Sequence, residues 1–306
     1  MYFFVEILFL GAVLWYDSWQ KERENKEMKF TKMQGCGNDY VYVNCFKETI
    51  ENPSELAIKL SNRNFGIGSD GLILICPSDV ADVRMEMYNA DGSQSQMCGN
   101  GVRCVGKYSY DYGIVNKDVV TVETLAGIKI LQLEIENDKV VRVTVDMGAP
   151  IVEPSLVPVK AEGDSVIAEP IVIDAVEYEI TCVSMGNPHA ITFVEDTNNI
   201  GDIEVLGPKF ENHEMFPERT NTEFIQVLSD TEINMRVWER GSGETLACGT
   251  GACASVYACI LNHKTKDEVT VHLLGGDLFI KYDRESGHIF MTGPAVVVFD
   301  GELVAE

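Results

Sequence analysis

The chain has 306 residues, of which 45% are hydrophobic, and its formal net charge is -24 at pH 7. This length suggests two domains with a sizeable core, and the negative charge argues against nucleic acid as a partner, because phosphate binding requires a basic surface. The nine cysteines form no short, dense framework. Reduced thiols in the cytoplasm are therefore favoured over a secreted disulfide protein.

Residues 1–27 differ in composition from the rest of the chain. The run from Met1 to Tyr16 is almost continuously apolar, but it is shorter than the roughly 20 residues that cross a bilayer. It also lacks the basic region of a secretory signal. We therefore expect residues 1–27 to be an extension outside the fold, and we expect no membrane partner.

From Met28 onward the pattern predicts many strands and few helices. Strands are predicted at residues 29–33, 40–45, 72–76, 84–89, 118–124, 127–136, 140–147, 177–184, 190–194, 223–228 and 233–238, with more towards the C-terminus. Helices are predicted at residues 53–62, 102–112 and 252–262. Strands dominate without regular βαβ alternation, which predicts an α+β fold of two strand-rich lobes.

Two stretches share one layout around a cysteine. Cys98 and Cys248 each open a Cys-Gly-x-Gly turn before a helical run, and a polar residue, Asn89 or Glu239, lies nine positions before each cysteine. The repeat extends upstream, since a Gly-Asn pair has its asparagine 60 residues before the first cysteine and 61 before the second. This duplication predicts two similar lobes that each deliver one thiol to a shared cleft.

Two opposed thiols suit the inversion of a tetrahedral carbon. A base on one face removes a proton and an acid on the other face returns one. A helix N-terminus favours a thiolate and burial opposes it, and the N–H groups of the turns can hold a carboxylate. No Walker loop, Rossmann fingerprint or convincing pyridoxal-phosphate lysine is present, so we expect no cofactor and no metal.

Each of these signals also has a structural interpretation. A single buried cysteine is usually inert, but the matched copies argue against that for this pair. The glycine-rich loop at residues 66–71 is more typical of a turn than of a phosphate cradle, and His189 could be a structural histidine. Asparagines 38, 187 and 221 could be turn residues, and Glu239-Arg240 could be a surface ion pair. The other seven cysteines are interpreted as structural.

Five motifs, in this order, resemble those of the diaminopimelate epimerase family. They are Met33-Gln34-Gly35-Cys36-Gly37-Asn38-Asp39-Tyr40, Asn89-Ala90-Asp91-Gly92-Ser93 with Cys98-Gly99-Asn100-Gly101-Val102-Arg103-Cys104, Gly186-Asn187-Pro188-His189, Arg219-Thr220-Asn221, and Glu239-Arg240-Gly241-Ser242-Gly243-Glu244-Thr245 with Ala247-Cys248-Gly249-Thr250-Gly251-Ala252. The resemblance covers nearly the whole chain from Met28.

The resemblance implies cofactor-independent interconversion of LL- and meso-2,6-diaminopimelate in lysine and peptidoglycan synthesis. It also implies two pseudo-symmetric lobes, each a half-barrel around a central helix. We expect the first lobe to span residues 28–147, with residues 294–306 returning to it, and the second to span residues 148–293. We further expect a cytoplasmic homodimer.

By motif match, the resemblance implies that Cys98 and Cys248 are the acid/base pair and that His189 and Glu239 support the chemistry. The implied substrate-binding residues are Asn38, Asn89, Gly99, Asn100, Asn187, Asn221, Glu239, Arg240, Gly249 and Thr250. Some family members carry a glutamine where this chain has Gly71, so one distal substrate contact is expected to be missing or replaced.

Two other functions fit parts of the pattern. A racemase or epimerase of proline or hydroxyproline would also use two thiols, but the many asparagines argue against a substrate with an apolar ring. A thiol redox or zinc protein would use the same cysteines, yet Cys-x-x-Cys spacing and histidines at zinc spacing are absent. A turnover panel of amino acids tests the first alternative, and a zinc measurement tests the second.

Overall fold

The structure, a computed structural model, describes residues 28–304, so the expectation for residues 1–27 lies outside the described residues. The described strands are β1 (Met28–Gly35), β2 (Asn38–Asn44), β3 (Gly71–Cys76), β4 (Val83–Asn89), β5 (Gln94–Ser95), β6 (Val119–Thr124), β7 (Gly127–Glu136), β8 (Lys139–Gly148), β9 (Glu169–Ile173), β10 (Val176–Ser184), β11 (Pro188–Phe193), β12 (Asn221–Val227), β13 (Glu232–Glu239), β14 (Gly243–Glu244), β15 (Glu268–Leu273), β16 (Gly276–Asp283), β17 (His288–Gly293) and β18 (Val296–Leu303).

The described helices are α1 (Pro53–Ser61), α2 (Gly99–Asp111), α3 (Ile203–Glu211) and α4 (Gly249–Leu261), with one turn of 3₁₀ helix at Thr197–Asn199. None of the helices within residues 28–304 has the length and apolar character needed to span a bilayer.

Strand pairing follows the same scheme twice along the chain. In the first half, β1 pairs antiparallel with β2, β2 parallel with β3, and β3 antiparallel with β4. Strands β10 to β13 repeat these pairings in the second half. Two matching antiparallel meanders follow, β6–β7–β8 and β15–β16–β17. The two halves join where β8 pairs with β17.

The outermost strands also correspond, because β18 pairs along β1 in the first half and β9 pairs along β10 in the second. The predicted strand-rich α+β class with two pseudo-symmetric lobes is therefore confirmed.

A central helix lies inside each curved sheet. Helix α2 packs on β1, β2, β7 and β8, and helix α4 packs on β10, β11, β12 and β16. Because the sheets enclose them, both helices are buried on most sides. Val102 and Val105 of α2, and Ala252 and Val256 of α4, are fully buried in one shared core.

Helices α1 and α3 cover the outer faces of the two sheets. In β3, Ile73 and Ile75 point to the shared core, whereas Leu72 and Leu74 pack with Leu60 of α1 in a separate cluster. A strand that is covered on both faces has a continuously apolar sequence. Every residue of β3 is accordingly buried.

Helix α3 was not predicted from the sequence. It begins after Asp202, whose side chain accepts a hydrogen bond from the N–H of Glu204 at 3.0 Å. Gly207 and Pro208 lie within the helix and weaken its sequence signal. Gly207 is required by packing, because a Cβ there would lie 2.3 Å from the ring of Trp238.

Helices α2 and α4 begin three residues earlier than the sequence pattern indicated. The predicted starts were residues 102 and 252, whereas the first helical residues are Gly99 and Gly249. The glycines that look like loop residues therefore form the first helical turn, and the cysteine before each turn becomes the N-cap.

Candidate active site

Cys98 and Cys248 occupy equivalent positions at the two central helices. Each is the extended N-cap residue of its helix, and each sulfur accepts a hydrogen bond of 3.4 Å from a backbone N–H, that of Gly101 or Gly251 respectively. The unpaired N–H groups of a helix start, which usually bind a side-chain oxygen or an anion, are thus directed at the two thiols.

Packing explains the second glycine of each Cys-Gly-x-Gly turn. A Cβ at Gly101 would lie 2.7 Å from Cδ1 of Ile73, and a Cβ at Gly251 would lie 2.5 Å from Oε1 of Glu223. The helix starts therefore press against an apolar side chain in the first lobe and against a carboxylate in the second.

The two helix starts meet beside Met291 of β17. A Cβ at Gly99 would lie 2.9 Å from Cε of Met291, and a Cβ at Gly249 would lie 3.0 Å from its Sδ. The side chain of Asn100 crosses between the lobes, since its Nδ2 donates to the carbonyl of Ala247 at 3.3 Å. The structure thus brings both cysteine turns to one place, although they are far apart in sequence.

The side chain that is hydrogen-bonded to the Cys98 thiol is a neutral amide. Its sulfur donates to Oδ1 of Asn38 at 3.2 Å. Loss of solvation raises the pKa of Cys98, and the negative charge of Glu239 adds to this, whereas the N–H groups of Gly101 and Asn100 and the cation of Arg103 lower it. Cys98 keeps some solvent exposure.

Arg103 is a fully buried cation beneath the start of α2. Its Nη1 donates to the carbonyl of Gly99 at 3.3 Å and to Sδ of Met291 at 3.6 Å, and its Nε donates to the carbonyl of Pro294 at 3.2 Å. Arg103 thus ties the Cys98 turn to the end of β17 and contributes positive charge below it.

The Cys248 thiol has acidic neighbours instead. Burial raises the pKa of Cys248 well above its ordinary value, and the carboxylates of Glu239 and Glu223 raise it further. Oγ1 of Thr250 lies 3.5 Å from the sulfur. Burial also raises the pKa of Glu239, whereas the Thr245 hydroxyl, which donates to Oε1 of Glu239, and the nearby Cys248 thiol lower it.

His189 forms a buried pair with Glu223. Its Nδ1 lies 2.6 Å from Oε1 of Glu223, and both side chains are fully buried. The other ring nitrogen, Nε2, lies 3.1 Å from Oδ1 of Asn187. A carboxylate at Nδ1 fixes the orientation of the ring. His189 is therefore held between a buried acid and the half-buried amide of Asn187.

The remaining candidates lie around these turns with varied contacts. Oδ1 of the buried Asn221 accepts from the backbone N–H of Arg240 at 2.8 Å, and the Arg240 guanidinium donates to the carbonyl of Glu218 at 2.8 Å. Asn89 bonds within its own hairpin, to Ser93 at 3.0 Å. The side chain of Asn100 is buried between the lobes, so only the backbone N–H of Asn100 is directed at the Cys98 thiol.

The family model for diaminopimelate epimerase matches residues 30–152 and 181–298. The chain belongs to the diaminopimelate epimerase family. Among curated relatives, the diaminopimelate epimerase of Agathobacter rectalis is 59% identical over 283 residues, which cover 90% of this chain and 99% of the relative. That of Acetivibrio thermocellus is 56% identical over 276 residues, covering 90% and 98%.

Solved structures of other enzymes share the fold. A hydroxyproline epimerase from Agrobacterium vitis aligns with a TM-score of 0.65 at 14% identity, covering 91% of each chain. A PhzF-family phenazine biosynthesis protein from Bacillus anthracis aligns with a TM-score of 0.64 at 19% identity, covering 91% of this chain and 99% of the other. At these identities the likeness concerns the fold alone.

This family member has no room for a side chain at Gly71. A Cβ there would lie 2.1 Å from the carbonyl oxygen of Tyr88 and 2.9 Å from Cε1 of Tyr40. A glutamine at this position would therefore require the strands to move apart. Among residues 28–304, no group of three or more His, Cys, Asp or Glu side chains is placed to hold a metal ion.

Sequence reasoning passed over three charged residues that lie at the site. Glu223 follows Asn221 by two positions, Arg103 lies within the first cysteine motif, and Asp70 lies within the glycine-rich loop. A charged residue inside an otherwise apolar or glycine-rich motif was the available signal. Their partners come from distant parts of the chain and are visible only in the fold.

Proposed function

We propose that this chain interconverts LL- and meso-2,6-diaminopimelate without a cofactor, and so serves lysine and peptidoglycan synthesis. The observation that carries the proposal is the pair of thiols, Cys98 and Cys248, each capping a central helix and both next to Met291. Relatives of 56% and 59% identity that bear the name diaminopimelate epimerase support the choice of substrate.

In the proposed reaction, one sulfur acts as a thiolate and takes the proton from the α carbon of the substrate. The C–H electron pair remains on carbon as a carbanion that is conjugated with the carboxylate. The other thiol then donates its proton to the opposite face, which inverts the centre. The thiol and thiolate have exchanged, so no proton is consumed overall.

The helix starts supply the electrostatic stabilisation in this proposal. The first N–H groups of α2 and α4, at Gly99-Asn100 and Gly249-Thr250, carry positive partial charge and accommodate the substrate carboxylate as negative charge builds up on it. Cys98 is the readier base of the pair, because burial, together with the carboxylates of Glu239 and Glu223, raises the pKa of Cys248 well above its ordinary value.

The polar residues around the turns bind the rest of the substrate in this proposal. We assign Glu239 to the ammonium group and Arg240 to a carboxylate, through charge-assisted hydrogen bonds. The distal end is assigned to asparagines, and His189 supports the chemistry by orienting its neighbours. These asparagines are Asn38, Asn89, Asn187 and Asn221.

We also propose the lobe boundaries and the assembly. The first lobe comprises residues 28–147 and the C-terminal strand from residue 294, and the second comprises residues 148–293. The pairing of β18 with β1 supports this division. We propose a cytoplasmic homodimer, and the nine free thiols fit a reducing compartment. Analytical ultracentrifugation measures the assembly.

Incubation with LL-diaminopimelate in deuterated water tests the reaction. We expect meso product that carries deuterium at the inverted carbon, because the donating thiol exchanges its proton with solvent. L-Proline and trans-4-hydroxy-L-proline serve as controls and should not isomerise. The absence of meso product, or faster turnover of either proline, would contradict the proposal.

A further inference from the structure

The glycine-rich loop at residues 66–71 carries one carboxylate that points at the Cys98 site. Oδ2 of Asp70 accepts hydrogen bonds from Nδ2 of Asn38 at 2.7 Å and from the backbone N–H of Asp39 at 3.0 Å. Its Oδ1 accepts from Nη2 of Arg63 at 3.0 Å. All three donors belong to other segments, so the carboxylate links the loop to the start of β2.

This contact decides which way the Asn38 amide faces. An asparagine side chain has a donor end and an acceptor end. The carboxylate of Asp70 takes the donor end, so the acceptor end, Oδ1, faces the sulfur of Cys98 at 3.2 Å. A carbonyl oxygen accepts from S–H and repels a thiolate, whereas a reversed amide would donate N–H to the sulfur and favour the thiolate.

We propose that Asp70 is a positioning residue, which locks the Asn38 amide with its oxygen towards Cys98 and thereby favours the thiol of Cys98 over its thiolate. The inference deepens the proposed function, since it concerns the same site. Its test uses the chemistry of the thiol itself, so its failure is distinguishable from a failure of the epimerase assignment.

The loop that carries Asp70 is held firmly in place. The backbone N–H of Asp70 donates to the carbonyl of Asp39 at 2.8 Å, and the carbonyl of Asp70 accepts from the N–H of Ala90 at 3.0 Å. Lys32 of β1, which is almost fully buried, pairs with Asp39 and donates to the carbonyl of Gly68. Asp70 is thus anchored on both sides. A residue that orients another side chain must itself be held in place.

Other groups also act on the Cys98 thiol and remain in place when Asp70 is changed. Burial raises the pKa of the Tyr40 hydroxyl well above its ordinary value and the charge of a Cys98 thiolate would raise it further, so the hydroxyl stays neutral. The titratable and charged groups around Cys98 are Tyr40 and Tyr42 of β2, Arg103 and Cys104 of α2, and Glu239 of β13.

No such arrangement occurs in the second lobe, all of whose residues, 148–293, the structure describes. Asn187, the counterpart of Asn38 in the repeat, faces the ring of His189 at 3.1 Å instead of a carboxylate. The fixed orientation of the Asn38 amide therefore affects Cys98 and not Cys248, and it distinguishes the two sides of the cleft.

Alkylation of Cys98 by iodoacetamide, followed by peptide mass spectrometry across a pH series, tests the proposal. In Asp70→Ala the donor end of the Asn38 amide loses its acceptor and the amide is free to reverse, so Cys98 should react about tenfold faster at pH 7 and the midpoint of its pH–rate curve should move to lower pH. Asp82→Ala is the matched control, because Asp82 also accepts from a backbone N–H and a side chain, those of Thr121, away from the site.

Two further variants separate the amide from the charge of Asp70. Arg63→Gln removes an exposed cation that pairs with both Asp39 and Asp70 but leaves the Asp70 carboxylate on the Asn38 amide, so the reactivity of Cys98 should stay within about twofold of wild type. In an Asn38→Ala background, Asp70→Ala should no longer change the reactivity of Cys98. An effect that persists there, a tenfold change in Arg63→Gln, or an unchanged midpoint in Asp70→Ala would overturn the proposal.

Discussion

The surroundings of the two cysteines differ far more than the backbones that carry them. Strand pairing repeats in the same order in both lobes, and each sulfur accepts an N–H of its helix at the same 3.4 Å. Cys98 nevertheless faces the amide of Asn38, whereas Cys248 faces the carboxylates of Glu239 and Glu223.

The difference shows what a duplicated fold does and does not repeat. The backbone repeat places two sulfurs at two helix starts. Burial raises the pKa of both thiols and Glu239 adds to both, but side chains that are not repeated make the difference, because Glu223 raises the pKa of Cys248 further whereas Arg103 lowers that of Cys98. Such a difference suits a pair in which one member is a base while the other is an acid.

Removal of either sulfur should have the largest effect, because one thiol cannot serve both faces of the carbon. We expect Cys98→Ala and Cys248→Ala each to lower kcat by about 10³-fold or more, with unchanged circular dichroism. Cys104→Ala and Cys259→Ala, buried in the same two helices, should stay within tenfold of wild type. Wild-type turnover in either of the first two variants would refute the two-thiol mechanism.

Alanine in place of the second glycine of each Cys-Gly-x-Gly turn should affect the two lobes to different extents. In Gly251→Ala the new Cβ meets the Glu223 carboxylate at 2.5 Å, so the His189 pair must move and kcat/KM should fall about 10²-fold. In Gly101→Ala the Cβ meets the terminal methyl groups of Ile73 at 2.7 Å and Met85 at 3.3 Å, which can shift without moving a charged pair, so the loss should be smaller. Equal losses in the two variants would contradict this interpretation.

The pH dependence of alkylation should show which of the two thiols has the lower pKa. Because negative charge disfavours a thiolate, Cys98 should alkylate at lower pH than Cys248. Glu239→Gln removes a carboxylate that raises the pKa of Cys248, so this pKa should fall and Cys248 should react about tenfold faster at a fixed pH. Iodoacetamide labelling with peptide mass spectrometry measures both rates, and faster labelling of Cys248 than Cys98 in the wild type would refute the ranking.

The hydroxyl of Thr250 should have the smallest effect. Its contact with the Cys248 sulfur is 3.5 Å long and lowers the pKa of that thiol. Thr250→Val should therefore raise the pKa slightly and reduce kcat by less than about fivefold. The same labelling assay should show slower reaction of Cys248, the opposite direction to Glu239→Gln. Faster labelling would mean that the hydroxyl does not stabilise the thiolate.

Most elements of the fold could be predicted from local pattern. The alternation of apolar residues located the strands, and Pro53 marked the start of α1. The duplication of Cys-Gly-x-Gly located both thiols. Helix α3 was missed because Gly207 and Pro208 weaken its local signal, and tertiary packing of Phe210 against Phe224 supplies what propensity lacks.

The amino-acid sequence by itself determined the repeat, the positions of Cys98 and Cys248, and the family. Only the tertiary structure decided the charge around each thiol. Arg103 reaches Met291 across 188 positions of the chain, and Asn100 reaches Ala247 across 147. Electrostatic effects depend on distance in space and on burial, so residues such as Glu223 acquire their influence only once the chain has folded.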